Sequence, residues 1–128
     1  MAALMLAGCA AAGRPRPVPS AANTRLGQRV AVGGVAVTPR RVEEDSRCPL
    51  GVQCVQAGIV RLTAVVREQG IRRERILALG EPLRLGRGWL TLCAVQPYPA
   101  RPGPIVPAAY RFRFAFAAGG PPDCPADG

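Results

Sequence analysis

Apolar and polar residues alternate along much of this chain, which is the pattern of half-buried β-strands. The segment 110–117 places four aromatic residues on one side and Arg111 and Arg113 on the other. The segment 58–68 alternates in the same way, with a row of Val, Leu and Ala on its apolar side. We therefore expect both segments to lie as strands over a core.

Turn residues separate these segments from their neighbours. Gly33-Gly34 and Gln69-Gly70 predict tight turns between paired strands. The segment 96–107 contains five prolines and predicts an extended loop. The segment 89–95 is apolar on both faces and predicts a covered central strand with Trp89 in the core. The predicted strands are 28–32, 35–42, 58–68, 71–79, 89–95 and 110–117.

Short strands, frequent turns and no helical segment of useful length predict an all-β fold. We expect an Ig-like β-sandwich of about six to seven strands, with a small, partly open β-barrel as the alternative. The β domain is predicted over residues 26–118. A Gly/Pro-rich tail is predicted over residues 119–128.

The amino-terminal segment predicts export. Leu6-Ala7-Gly8-Cys9 resembles a bacterial lipobox, where a signal peptide is cleaved before a cysteine that becomes lipidated. Residues 1–8 are then the remnant of a lipoprotein signal. Such signals have a basic start and a longer apolar segment, so we expect the true start to lie upstream of Met1. Residues 9–25 predict the lipidated cysteine and a Pro/Ala-rich tether.

Lipidation at Cys9 predicts a protein anchored in the bacterial envelope and facing the periplasm. Several acyl chains bind a bilayer firmly, and no stretch reaches the roughly 18 apolar residues of a spanning helix. Membrane attachment is therefore expected through Cys9 alone. Ala10, in place of the Asp that retains some lipoproteins in the inner membrane, favours the outer membrane.

The cysteine count agrees with export. The chain has five cysteines, and lipidation of Cys9 leaves an even number in an oxidising compartment. Cys48 and Cys54 are predicted to close a short loop by a disulfide. Cys93–Cys124 follows by elimination, although four cysteines permit three connectivities. Redox and metal-binding roles are the alternatives, and the spacing fits neither well.

The absence of histidine limits the possible chemistry. It excludes Ser-His-Asp and Cys-His catalysis and His-ligated zinc. No other catalytic, metal-binding or cofactor motif is visible, so we expect a protein that is not an enzyme and binds no cofactor. The acidic run Glu43-Glu44-Asp45 is interpreted as a solvated strand end.

The chain is strongly basic, with 17 basic and 8 acidic residues and a net charge of +9. Its arginines are interpreted as an ordinary solvated surface, and the alternative is a basic face on one sheet that meets anionic lipid headgroups. Nucleic acid is not an expected partner, since no aromatic residues are interleaved among most of these arginines. Arg73 and Arg75 are the leading candidates within the set Arg61, Arg67, Arg72, Arg73, Arg75, Arg111 and Arg113.

The densest motif is the segment 45–58, Asp-Ser-Arg-Cys-Pro-Leu-Gly-Val-Gln-Cys-Val-Gln-Ala-Gly. It resembles the Asp-x-Arg-Cys-Pro-x4-Cys-Val-x-Ala-Gly motif of a family of small exported bacterial proteins, many with lipoprotein signals. The resemblance implies export and a coherent fold, and no particular activity. Asp45 and Arg47, which precede the loop, are candidate binding residues. So is Gln56, where the family usually carries Trp.

These observations predict a non-enzymatic envelope lipoprotein. We expect a β-sandwich that binds a partner or stabilises the envelope, with an envelope protein or an anionic lipid headgroup as its partner. The alternative is an inhibitor of an exported hydrolase. In that case the Cys48–Cys54 loop would act as a rigid wedge, because preorganisation lowers the cost of binding.

Overall fold

Two antiparallel four-stranded sheets share one core in the computed structural model, which describes residues 18–124. The strands are β1 Ser20–Thr24, β2 Val30–Val32, β3 Val35–Asp45, β4 Val60–Glu68, β5 Ile71–Ala78, β6 Leu83–Leu85, β7 Gly88–Gln96 and β8 Arg111–Ala117. Sheet A has the order β1-β8-β7-β6, and sheet B has the order β2-β3-β4-β5. The sheets stay separate, which confirms the predicted all-β sandwich over the barrel alternative.

The core is built from the apolar sides of the alternating segments. On β4 every second residue from Val60 to Val66 is buried, and on β8 Phe112 and Phe114 are fully buried. The Phe112 ring lies 5.7 Å from the Tyr110 ring and 6.4 Å from the Phe114 ring. Each large apolar side chain so buried contributes about 1.5–3 kcal/mol.

Both predicted turns close tight hairpins. Gly33 and Gly34 adopt φ angles of 59° and 93°, and Gln69 and Gly70 adopt 51° and 81°. Two consecutive residues with positive φ match the twist of the flanking strands. At Gly33 a side chain is disfavoured by the positive φ angle, and a Cβ atom would also overlap the ring of Phe116.

The structure differs from the sequence predictions at β1 and β6. β1 begins at Ser20, inside the predicted tether, because its polar backbone pairs with β8: Ser20 lies opposite Ala115, and Thr24 lies opposite Phe112. The three residues of β6 are too few to show a periodicity. Within residues 18–124 the sandwich therefore has eight strands and begins before the predicted boundary at Leu26.

Trp89 was predicted to be in the core, and this prediction is wrong. β7 is a central strand of sheet A, but Trp89 lies on the outer side of that sheet and is only half-buried there. The guanidinium of Arg84 lies 5.2 Å from its ring centroid. A cation over the ring thus covers part of this outward-facing side chain.

Helical structure in residues 18–124 is limited to the short 3-10 turn Pro107–Ala109. In this part of the chain no helix has the length and apolar character needed to cross a membrane.

Candidate functional site

Both predicted disulfides are present. Cys48–Cys54 closes the segment 48–54, called here the cysteine loop, and Cys93–Cys124 attaches the tail to β7. Disulfides persist in oxidising compartments and are rare in the cytosol. Their presence fits an extracytoplasmic protein.

A buried arginine holds the base of the cysteine loop on the sandwich. Arg47 Nε and Nη2 donate hydrogen bonds to the two carboxylate oxygens of Asp45, at 2.9 and 2.8 Å. Nη1 donates to the carbonyl oxygen of Val95 at 2.7 Å, and Nη2 also donates to that of Pro97 at 3.1 Å. The guanidinium carbon lies 5.5 Å from the Tyr98 ring centroid. The planar fork of arginine suits such bidentate and carbonyl contacts together.

Tyr110 completes this arrangement, called here the Arg47 network. Its hydroxyl donates a hydrogen bond to Asp45 Oδ2 at 2.7 Å. The hydrogen bonds from Arg47 and Tyr110 lower the pKa of Asp45. Burial, and then the contact with Asp45, raise the pKa of Tyr110 to about 12. At neutral pH the network therefore contains an ionised carboxylate and a neutral phenol.

The Arg47 network changes the interpretation of two candidate binding residues. Arg47 is only 8% exposed, and the carboxylate of Asp45 is paired with both Arg47 and Tyr110. Their hydrogen-bonding groups are directed at the protein itself. We therefore assign both residues to positioning the cysteine loop, whereas the exposed Gln56 stays accessible to a partner.

The last residue of the motif allows the two ends of the loop region to approach closely. Ser46 N donates to the carbonyl oxygen of Ile59 at 2.9 Å, and Ile59 N donates to Ser46 Oγ at 3.0 Å. Gly58 lies against this junction, where a Cβ atom would overlap the carbonyl oxygen of Ser46. The glycine is therefore required by the close approach of two backbone segments.

The tip of the cysteine loop exposes apolar side chains. Leu50 is 63% exposed, Val52 is 42% exposed, and Val55, just after the loop, is fully exposed. Leu50 N donates a hydrogen bond to the carbonyl oxygen of Pro99 at 3.0 Å, which attaches the tip to the proline-rich segment. These three residues are not among the site residues predicted from the sequence. The signal that could have identified them is the presence of apolar residues in a short, disulfide-closed loop, which is too constrained to bring them into the core.

A groove lies beside the base of the loop. It has a volume of about 590 Å³ and lies between the end of β3 and the proline-rich segment. Its wall combines apolar surface from Ile105 and Pro49 with charged groups from Asp45, Arg47 and Arg101. A concave site of this volume, with an apolar wall and a few polar groups, has the character of a ligand-binding pocket.

The arginine residues singled out in the sequence do not form one face, so the alternative of a basic face on one sheet is wrong. Arg67 and Arg72 lie opposite one another on sheet B, whereas Arg73 lies opposite the core residue Val66. Alternation along β5 therefore puts Arg73 and Arg75 on the other side of the strand from Arg72. They line a separate groove of about 380 Å³ at the β5 edge. Both Arg111 and Arg113 belong to β8 of sheet A.

No protein-family model, curated protein or solved structure matches this chain. The lipobox with Cys9, and the tether up to residue 17, lie outside the described residues. In the described range 18–124, no cluster of His, Cys, Asp or Glu side chains is placed to hold a metal ion.

Proposed function

We propose that this protein is a non-enzymatic, lipid-anchored module of the bacterial envelope that binds a partner protein through the cysteine loop. The observation that carries the proposal is the combination of a buried base and an apolar tip in one loop. Arg47 is buried below the tip, while Leu50 and Val55 face solvent.

Three restraints hold the loop in one conformation. The Cys48–Cys54 disulfide closes it, the Arg47 network holds its base on sheet A, and Leu50 N binds the carbonyl oxygen of Pro99. A loop that is ordered before binding loses less conformational entropy when a partner arrives. Exposed apolar side chains on such a loop supply contact area that excludes water.

The lipid anchor is supported by the sequence and by the disulfides. The lipobox provides Cys9, and the other four cysteines are paired as they are in exported proteins. Envelope location gives the loop access to periplasmic and membrane proteins. An exported hydrolase is one such partner, and its inhibition would be a special case of the same binding.

Site-specific photocrosslinking in intact cells tests the binding surface. We expect a photoreactive residue at Val55 to give a discrete protein adduct, since this side chain is fully exposed beside the loop. The matched control is Ile76, which is 60% exposed on β5 and should give none. Equal adducts at both positions, or none at Val55, would contradict the proposed surface.

Mass spectrometry of the native protein tests the anchor. We expect diacylated or triacylated Cys9 at the mature amino terminus, and an unprocessed chain after Cys9→Ser. A free, unmodified Cys9 in protein isolated from cells would contradict lipid anchoring and leave the loop proposal to the crosslinking experiment.

A further inference from the structure

The outer face of sheet B is divided into a neutralised half and a basic half. In the half near the cysteine loop, Glu43 forms an ion pair with Arg41 and accepts a hydrogen bond from Thr63 at 2.7 Å. Glu44 pairs with Arg61 at 3.3 Å. The basic residues of this half therefore have carboxylates beside them.

The other half, called here the arginine surface, consists of Arg29, Arg40, Arg67 and Arg72. These four residues surround a shallow depression of about 180 Å³, whose remaining wall is Ala36, Thr38 and Val65. Within residues 18–124 none of the four forms an ion pair. Glu74, opposite Val65 on the same face, brings one carboxylate to this half against four guanidinium groups.

The register of sheet B adds a second observation. Arg67 and Arg72 are direct cross-strand partners on β4 and β5. Like charges placed directly opposite one another destabilise a sheet. An anion bound between these side chains would remove that repulsion, so the arrangement favours an anionic partner.

We propose that the arginine surface docks on the phosphate groups of an anionic bilayer, the one in which the lipidated Cys9 is anchored. The proposal rests on the lipid anchor proposed above. Guanidinium groups bind phosphate oxygens in pairs, and an open, shallow surface suits a layer of headgroups. Val18 follows Cys9 by nine positions. An extended chain of that length separates the two residues by at most about 30 Å.

Docking also fixes the orientation of the sandwich. Sheet B turns its outer face to the bilayer, and the neutralised half of that face lies toward the cysteine loop. Electrostatic attraction by the arginine surface and attachment through Cys9 then act on the same side of the membrane. The acyl chains of Cys9 supply firm attachment, and the arginine surface adds an electrostatic attraction that orients the sandwich.

Vesicle binding tests the proposal without any acyl chain. The full chain carrying Cys9→Ser is mixed with vesicles of phosphatidylcholine, alone or with phosphatidylglycerol in a three-to-one mixture. We expect binding to the mixed vesicles only, with affinity falling as salt rises. The double substitution R67Q/R72Q should weaken it about thirtyfold.

The matched control is R73Q/R75Q. It removes the same number of charges, both from β5 and both on the side of that strand opposite to Arg72. We therefore expect less than about a threefold loss of vesicle affinity. Equal losses of vesicle affinity in both double variants would show that binding depends on net charge alone, and would overturn the proposal. No binding to mixed vesicles, or binding of inorganic phosphate without vesicle binding, would overturn it as well.

A stability measurement excludes loss of folding as the explanation. Because R67Q/R72Q removes a like-charge pair, it should unfold at an equal or higher urea concentration than the parent chain while it binds vesicles less. Because every chain in this series lacks Cys9, the result is independent of acylation. Vesicle binding can therefore fail while mass spectrometry still finds the anchor, and the reverse also holds.

Discussion

Arg47 was singled out by its sequence context as a candidate binding residue, but its contacts are those of a residue that positions the cysteine loop. Its position beside Cys48 suggested a binding role, but its donors reach Asp45 and the carbonyl oxygens of Val95 and Pro97. The two carbonyl acceptors are 48 and 50 positions away in sequence, in a segment whose backbone geometry no local pattern reveals. Removal of the guanidinium would leave the carboxylate of Asp45 partly buried without its cation.

Gly58→Ala should destabilise the protein severely. A Cβ atom there would overlap the Ser46 carbonyl oxygen, and both backbone segments are held by hydrogen bonds at Ile59. We expect a loss of more than about 3 kcal/mol in the free energy of unfolding, measured in urea. Gly119→Ala is the control, because nothing lies within 4 Å of its Cβ position. It should change stability by less than about 0.5 kcal/mol, and similar losses in both variants would refute the steric explanation.

The raised pKa of Tyr110 predicts that the folded protein loses stability at alkaline pH. Its pKa is raised to about 12 in the folded protein, against about 10 in the unfolded chain. Its contribution is therefore fully present below pH 10 and is lost as the pH rises toward 12. The chain has no lysine and arginine stays charged, so few other groups titrate in this window.

Unfolding in urea across pH 8–12 measures this effect. Tyr110→Phe should cost about 1.5–3 kcal/mol at pH 8, because Asp45 loses a donor, and should flatten the decline between pH 10 and 12. Tyr98→Phe is the control, since Tyr98 is half-exposed and is not hydrogen-bonded to Asp45. A decline that persists unchanged in Tyr110→Phe would show that the phenol is not its source.

At the scale of the elements, pairing between strands decides what the local pattern leaves open. β1 has the sequence Ser-Ala-Ala-Asn-Thr, which favours no strand, yet it lies along β8. Glu68, at the end of β4, accepts hydrogen bonds from the backbone N–H groups of Gly86 and Arg87 at 3.2 and 2.8 Å. It thereby connects sheet B to the turn between β6 and β7, a contact between elements distant in sequence.

The two disulfides should differ in their effects on stability. Cys48 and Cys54 are 6 positions apart, and Cys93 and Cys124 are 31 apart. Loop-closure entropy gives about 2 kcal/mol for the first bridge and about 4 kcal/mol for the second. Paired Cys→Ala substitutions followed by urea unfolding measure both values. A larger loss from Cys48→Ala/Cys54→Ala would show that the short loop supports the sandwich itself and does more than present its tip.

At the scale of the whole molecule, alternation distributes the positive charge over separate surfaces. The net charge of +9 is a property of composition. A proteome that is generally rich in arginine would produce it without selection for a partner. Only the register of sheet B brings Arg67 and Arg72 face to face and puts Arg73 on the opposite side. In the sandwich described over residues 18–124, half of one face therefore carries four arginines that form no ion pair there.

The sequence by itself determined the all-β class, the two tight turns, the inward rows of β4 and β8, and the short-range disulfide Cys48–Cys54. These are local properties, because side-chain alternation and positive φ angles depend on neighbours in the chain. Tertiary structure alone decided that β1 and β6 are strands, that Arg47 is buried, and which arginines meet. Each of these depends on contacts between residues distant in sequence, where burial and register outweigh local preference.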